Sequence, residues 1–236
     1  MTPGASFFGL QRRFADRWAE VAPCPRAQAY LDCTTWYHQV CRLGRDFDAD
    51  HPEWLRFLAD LDAAGDPDPF IADRTAASHQ PTSSTSVFDY AWDPEELTVR
   101  LHFQPDGGTV RSPLAMEAVS RRKGEIRTVI VRAQADHPEA EWVRGRSWLY
   151  NLEAYQRLMP PTFVAALTPD EHDLQFLATW GQFLTRRGET RPALVELFLE
   201  RMAAASTTTA LEEAFPLRIL ETRVPIAAFA DFYGAG

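Results

Sequence analysis

The sequence predicts an α+β fold: a mixed central β-sheet with a strand–helix–strand core, flanked by N-terminal and C-terminal helices. Three observations predict it. Apolar residues recur every three or four positions before residue 65 and again after residue 167, which is helical spacing. Leu97, Val99, Leu101 and Phe103 alternate with Thr98, Arg100, His102 and Gln104, which is strand spacing. From residue 97 to 150 a strand, a loop, a long helix and a second strand follow in turn. That order is how a crossover joins parallel strands.

Composition narrows the class. The 236 residues are 45% hydrophobic and 24% charged, ordinary values for a folded domain with a real core. No apolar run approaches the roughly 18–20 residues that a membrane span needs. Residues 1–10 lack the basic-then-apolar pattern of a secretory leader, so the expected location is cytoplasmic, away from membranes. A net charge of −9 excludes a general nucleic-acid or anionic-membrane binder. Every basic residue except Lys123 is arginine, a compositional skew that weakens the signal of any one arginine. Cys24, Cys33 and Cys41 show no C-x-x-C spacing, and Cys33 and Cys41 read as small core residues.

Taken in order, Phe7, Leu10, Phe14, Trp18 and Val21 make one helical stripe. Residues 27–42 make a second periodic run. A third follows Pro52 and stops at Gly65. The turn-formers of 65–86 read as a long loop. It divides an N-terminal helical region, 1–75, from an α+β domain, 76–236, or lies within one continuous domain. Residues 86–92 are extended and pair with 97–104 as a hairpin across Asp93-Pro94-Glu95-Glu96. Ser112 reads as an N-cap with Pro113 at the first helical position, opening a helix to about Asp136. Residues 141–150 return as a strand. Thr168-Pro-Asp-Glu171 has capping-box chemistry for a helix ending at Gly188. Helices over 192–205 and from Thr209, a strand over 217–224 and a last turn or helix to Tyr233 complete the chain.

Several residues have chemistry to offer. His102, on the polar face of the clearest strand, is the best placed of the six histidines for general acid–base work, with Arg100 beside it. That face is equally readable as plain solvated sheet. Gly107 and Gly108 lie between a strand end and a helix start, where main-chain N–H groups favour an anion. They also serve as a simple turn. Arg122 falls on the helix's core stripe, either snorkelling to water or directed into a cleft. Alternation puts Trp142, Arg144, Arg146, Trp148 and Tyr150 on one face, with Gly145 marking a bulge or a close approach. No H-E-x-x-H or compact His/carboxylate cluster is present, so no metal is expected.

The span 86–167 resembles the GNAT-type acyltransferase core. The carriers are Leu97-Thr-Val-Arg-Leu-His-Phe, the loop, the long helix opening Ser-Pro-Leu, and the strand ending Ser147-Trp-Leu-Tyr. It is most similar to C-terminal acyltransferase-like domains with a Ser-Trp-Leu-Leu signature. In such proteins a Q/R-x-x-G-x-G/A segment holds the acyl-CoA pyrophosphate. Gln104-Pro-Asp-Gly107-Gly108-Thr109 matches at the Gln and the first Gly, and departs at Thr109. The resemblance implies acetyl-CoA or another acyl-CoA, held at Gln104, Gly107, Gly108 and Ser112, and acyl transfer to a small anionic amine. His102 would take a proton from the amine and Tyr150 would return one to the departing thiolate. Arg100, Arg122, Arg144 and Trp148 would bind the small-molecule substrate. The alternative, favoured by Thr109, is a non-catalytic small-molecule-binding or protein-interaction module. A hydrolase using His79 and His102 would need a metal or nucleophile that the sequence does not supply.

Overall fold

A computed structural model describes residues 3–44, 46–78, 86–104 and 112–234. Helix α1 (Ala5–Val21) buries Phe7, Phe8, Leu10 and Phe14 and stops one residue before Pro23. Pro25 then precedes α2 (Arg26–Cys33), and a short α3 (Trp36–Gln39) follows. In α4 (Pro52–Ala63) the Nδ1 of His51 accepts from the Glu53 N–H at 3.2 Å, with Pro52 in the first turn. Residues 67–78 correct the expectation of a loop: they form α5 (Pro67–Ser78). Pro67 and Pro69 sit in its first turn, where a missing N–H breaks no helical bond, and Asp68 is acidic there. Gly9 lets the two helices meet, since a Cβ there would lie 2.9 Å from Asp68 Cγ. Arg12 Nε donates to Asp68 at 2.7 Å.

The β1 strand (Phe88–Asp93) and β2 (Thr98–Phe103) form the expected hairpin. Leu97 is not part of β2 but ends the turn at φ 49°, in the left-handed region. Its carbonyl accepts from Trp142 N–H at 3.2 Å, which starts the next pairing. A 3₁₀ turn (Met116–Ala118) leads into α6 (Val119–Asp136). The helix therefore starts later than Pro113. Ser112 closes a turn instead, its Oγ accepting from Leu114 N–H at 3.3 Å and its carbonyl from Ala115 N–H at 3.1 Å. Serine before proline suits a turn as well as a cap. Strand β3 (Trp142–Ser147) then lies parallel to β2, as the crossover pattern implies. It ends three residues early, because Ser147 Oγ caps a 3₁₀ helix (Trp148–Asn151) by accepting from Leu149 N–H.

Helices α7 (Glu153–Gln156) and α8 (Pro161–Ala165) lead to β4 (Thr168–Asp170). This corrects the expected capping box: the segment pairs with a later strand, and tertiary pairing overrides the local signal. The expected long helix to Gly188 is only α9 (Leu177–Trp180), a 3₁₀ turn and a bridge of Leu184 with Thr190. Gly188 turns that bridge at φ 83°. Helices α10 (Pro192–Ala204) and α11 (Thr208–Glu212) follow, then β5 (Ile219–Pro225) and α12 (Ile226–Tyr233).

The chain divides into two compact units, and the division is discontinuous. One unit comprises the described residues of Met1–Pro81 and His172–Leu217, the other those of Thr82–Glu171 and Arg218–Gly236. The C-terminal helices α9 to α11 thus belong with the N-terminal helices. That unit's core holds Phe14, Trp180, Phe183, Phe198 and Phe215 in mutual ring contact.

The second unit carries the sheet, in the order β1-β2-β3-β5-β4. Register places Tyr90, Leu101, Val99, Val143, Gly145 and Val224 on one face, covered by Ile126, Val129, Ile130 and Ala133 of α6 and by Phe229 of α12. The opposite face bears Arg100, His102, Arg144, Arg146, Glu221 and Arg223. The outer edge of β1 is partly covered by its own side chains. Ser86 Oγ bonds both the N–H and the carbonyl of Phe88, and Asp89 accepts from Tyr90 N–H at 2.9 Å.

Candidate functional site

The site grows from how β2 and β3 are paired. Their register contains Thr98–Trp142, Val99–Val143 and Arg100–Arg144, and nothing beyond. Yet β2 stays paired with β1 as far as Phe103, and β3 with β5 as far as Ser147. The two parallel strands therefore part after Arg100 and Arg144. Gln104 N–H donates to the Val87 carbonyl at 2.7 Å, so the even residues of β2 aim their main chain at β1. The Leu101 N–H completes the pairing of Arg100 with Arg144, so the Leu101 carbonyl and the Phe103 main chain face the opening.

On the polar face, Arg100, Arg144 and Arg223 stand in direct register on three adjacent strands. Like charges so placed repel unless anions are interleaved. Here they are. Arg144 donates to Glu221 at 2.7 Å and lies 3.5 Å from Glu96. The Glu221 hydrogen bond holds the guanidinium proton above its ordinary affinity, against the opposing effect of burial. Arg146 is bound by Asp170 and by the Glu171 carbonyl. Burial raises the Asp170 carboxyl, but the hydrogen bond from Arg146 and the Glu171 backbone outweigh it and keep its pKa below the usual range. Arg223 donates to the Glu96 carbonyl at 2.8 Å and lies over the Trp142 ring. Among the described residues Arg100 has a single carboxylate within ion-pair distance, Asp93 at 3.3 Å.

The site residues expected from the sequence do not all meet. Arg100 and Arg144 share the polar face with His102, which is exposed and in register with Asp89. Gln104 and Ser112 are exposed on either side of the connection that follows β2. Gly107, Gly108 and His79 lie outside the described residues. Tyr150 is corrected to the other face. Because the strand stops at Ser147, alternation fails, and the ring packs beneath Gly145 with Tyr155 and Phe163. It is 1% exposed, and burial pushes its hydroxyl well above the ordinary range. A side chain so placed cannot share a proton path with His102. Trp148, also past the strand, is buried rather than displayed beside Arg144 and Arg146.

Arg122 is neither snorkelling nor directed at a ligand along its whole fork. It is 1% exposed, with Nε donating to the Pro113 carbonyl at 3.1 Å and Nη1 to both Glu125 oxygens at 2.7 Å. It clamps the entry turn onto α6. Sequence reading missed Arg223, Glu221 and Glu96. The alternation of Glu221 and Arg223 with Thr222 and Val224 was the available signal, on a segment already read as a strand.

Neither family models, characterised proteins nor solved structures match this chain. The site stands on its own geometry. Among the described residues no group of three or more His, Cys, Asp or Glu side chains is arranged to hold a metal ion. Among the same residues no helix is long and apolar enough to cross a membrane.

Proposed function

We propose that the second unit is an acyl-CoA-dependent N-acyltransferase for a small anionic amine, acting in the cytoplasm. One observation carries the reading: parallel strands joined through α6 part after Arg100 and Arg144 and leave the Leu101 carbonyl and the Phe103 main chain facing the gap. A main-chain N–H turned into such a gap suits an anionic guest. Gln104 and Ser112, both exposed, would hold the pyrophosphate. A CoA thioester supplies an activated acyl carbon. The chain's own groups do the rest. The arginine face gathers the acceptor, and exposed His102 takes the proton its amine loses as the C–N bond forms and the C–S bond breaks. The departing thiolate takes its proton from water, since Tyr150 is out of reach.

A second reading, a non-catalytic module that only binds such a ligand, is favoured by that same burial of Tyr150. Calorimetric titration with acetyl-CoA tests both. Saturable heat supports a site for the thioester, and no heat at millimolar concentration removes both readings. Acyl transfer to an amine panel, abolished by His102→Ala, separates the enzyme from the binding module.

A further inference from the structure

The four arginines of the polar face are not equivalent, and their difference selects the acceptor. Arg144 is held between Glu96 and Glu221, Arg146 by Asp170, and Arg223 by a carbonyl and the Trp142 ring. Arg100 makes no hydrogen bond that meets ordinary geometry among the described residues. Its Nε is shielded and unpartnered, and its side chain is 38% exposed. A ligand therefore reaches its outer nitrogens. On β1 the residue in register with it is Ala91, whose methyl leaves the space beside the guanidinium open. One pleat further, exposed His102 stands in register with Asp89, whose carboxylate is bound by Arg132 of α6.

We infer that Arg100 is the seat for a single carboxylate of the acceptor, whose amine end lies toward His102. A planar carboxylate matches the two outer guanidinium nitrogens as a fork. A phosphate dianion fits worse, because Asp93, Glu96 and Glu221 already line the row and would repel the second charge. An acceptor with one carboxylate and one amine, an amino-acid-like zwitterion, meets both ends of this arrangement. The inference rests on the acyltransferase reading for its purpose, but not for its test.

Arginine Nε–H signals in a nitrogen-15 correlation spectrum provide that test, with the Arg100 signal identified by its loss in Arg100→Lys. Sodium acetate, against a sodium chloride control, is expected to move that signal saturably and to leave the Arg144 signal in place. Inorganic phosphate at matched ionic strength is expected to move it at least several-fold less. An unmoved Arg100 signal, an equal response to phosphate, or a response at Arg144 instead would each overturn the assignment. Ala91→Leu keeps the cation and fills the space beside it; it is expected to abolish the acetate response, and an undiminished response would also refute the seat. The two readings fail separately. Acetate binding without acetyl-CoA binding removes acyl transfer alone, and acetyl-CoA binding without an acetate response removes the seat alone.

Discussion

Gly145→Ala is the most informative single change in the sheet. A Cβ at this position would lie 2.6 Å from Phe163 Cζ and 2.7 Å from Tyr150 Cζ, and closer still to the Tyr150 hydroxyl. Ordinary contact begins near 3.4 Å, so the deficit against the Phe163 ring alone is about 0.8 Å. Neither ring has room to yield, since Tyr150 and Phe163 are 1% and 0% exposed and pack against each other in a tilted contact at 5.3 Å. Overpacking of this kind costs about 1–3 kcal/mol. Gly→Ala in a strand otherwise recovers a few tenths of that through backbone entropy, so the net expectation is a loss of roughly 1–2.5 kcal/mol.

Urea unfolding followed by circular dichroism measures it, with an unchanged slope showing that the unfolded state is not the cause. Tyr150→Phe deletes the nearest atom of the clash, so Gly145→Ala is expected to be milder in that background, by about 0.5–1 kcal/mol of coupling. A neutral Gly145→Ala, or strictly additive effects in the cycle, would refute the claim that glycine is there to admit the Tyr150 ring.

Four further outcomes follow from the geometry. Tyr150→Phe alone should lose about 0.5–1.5 kcal/mol of stability through its buried hydrogen bond with Tyr155, and acyl transfer, where assayed, should keep its pH profile. Arg122→Met should destabilise by about 1–3 kcal/mol, because it leaves the Pro113 carbonyl without that donor and the Glu125 carboxylate with only Arg121 at 3.8 Å; adding Glu125→Met should recover most of it in the same unfolding assay. Asp170, with its pKa lowered in the folded state, contributes stability above its unfolded pKa of 3.8 that is lost as pH falls through the folded value; Asp170→Asn should flatten the stability–pH curve in that window. Ser86→Ala uncovers the Phe88 main chain at the outer edge of β1, and sedimentation should show concentration-dependent association that the parent chain lacks.

The parts of the fold legible in the sequence are those where a local period decides the outcome. The hairpin, the parallel return of β3 and the body of α6 follow from alternation and helical spacing, because each buries one face against the same core. Residues 67–78 and 168–188 were illegible for opposite reasons. In the first, prolines that usually break structure sit where a helix tolerates them. In the second, a capping signal lost to pairing with a strand some 50 residues later. The candidate site was half legible. Arg100 and His102 share a face because strand geometry leaves no choice. Tyr150 changed faces because Ser147 stopped the strand, and a serine hydroxyl's preference for capping over pairing is a local detail that alternation does not contain.

What sequence spacing could least convey is which charges are spent. Arg144 and Glu221 are 77 residues apart, and only the β3–β5 register brings them together. Four arginines on one face look alike as a pattern, yet Arg144 and Arg146 are hydrogen-bonded to carboxylates and Arg223 to a carbonyl, while Arg100 has only its ion-pair contact with Asp93. A binding face built only of free cations would be indiscriminate, attracting any anion in proportion to its charge. Interleaved carboxylates change that. They lower the net field over the face, so a site of the kind proposed would disfavour multivalent anions and leave discrimination to Arg100. Selectivity on such a surface comes from the acids as much as from the arginines. The arrangement therefore ties the face to the opening beside it: the last registered pair of β2 and β3 is Arg100 with Arg144, so the arginine held only by Asp93 and the parted strands meet at the same residue.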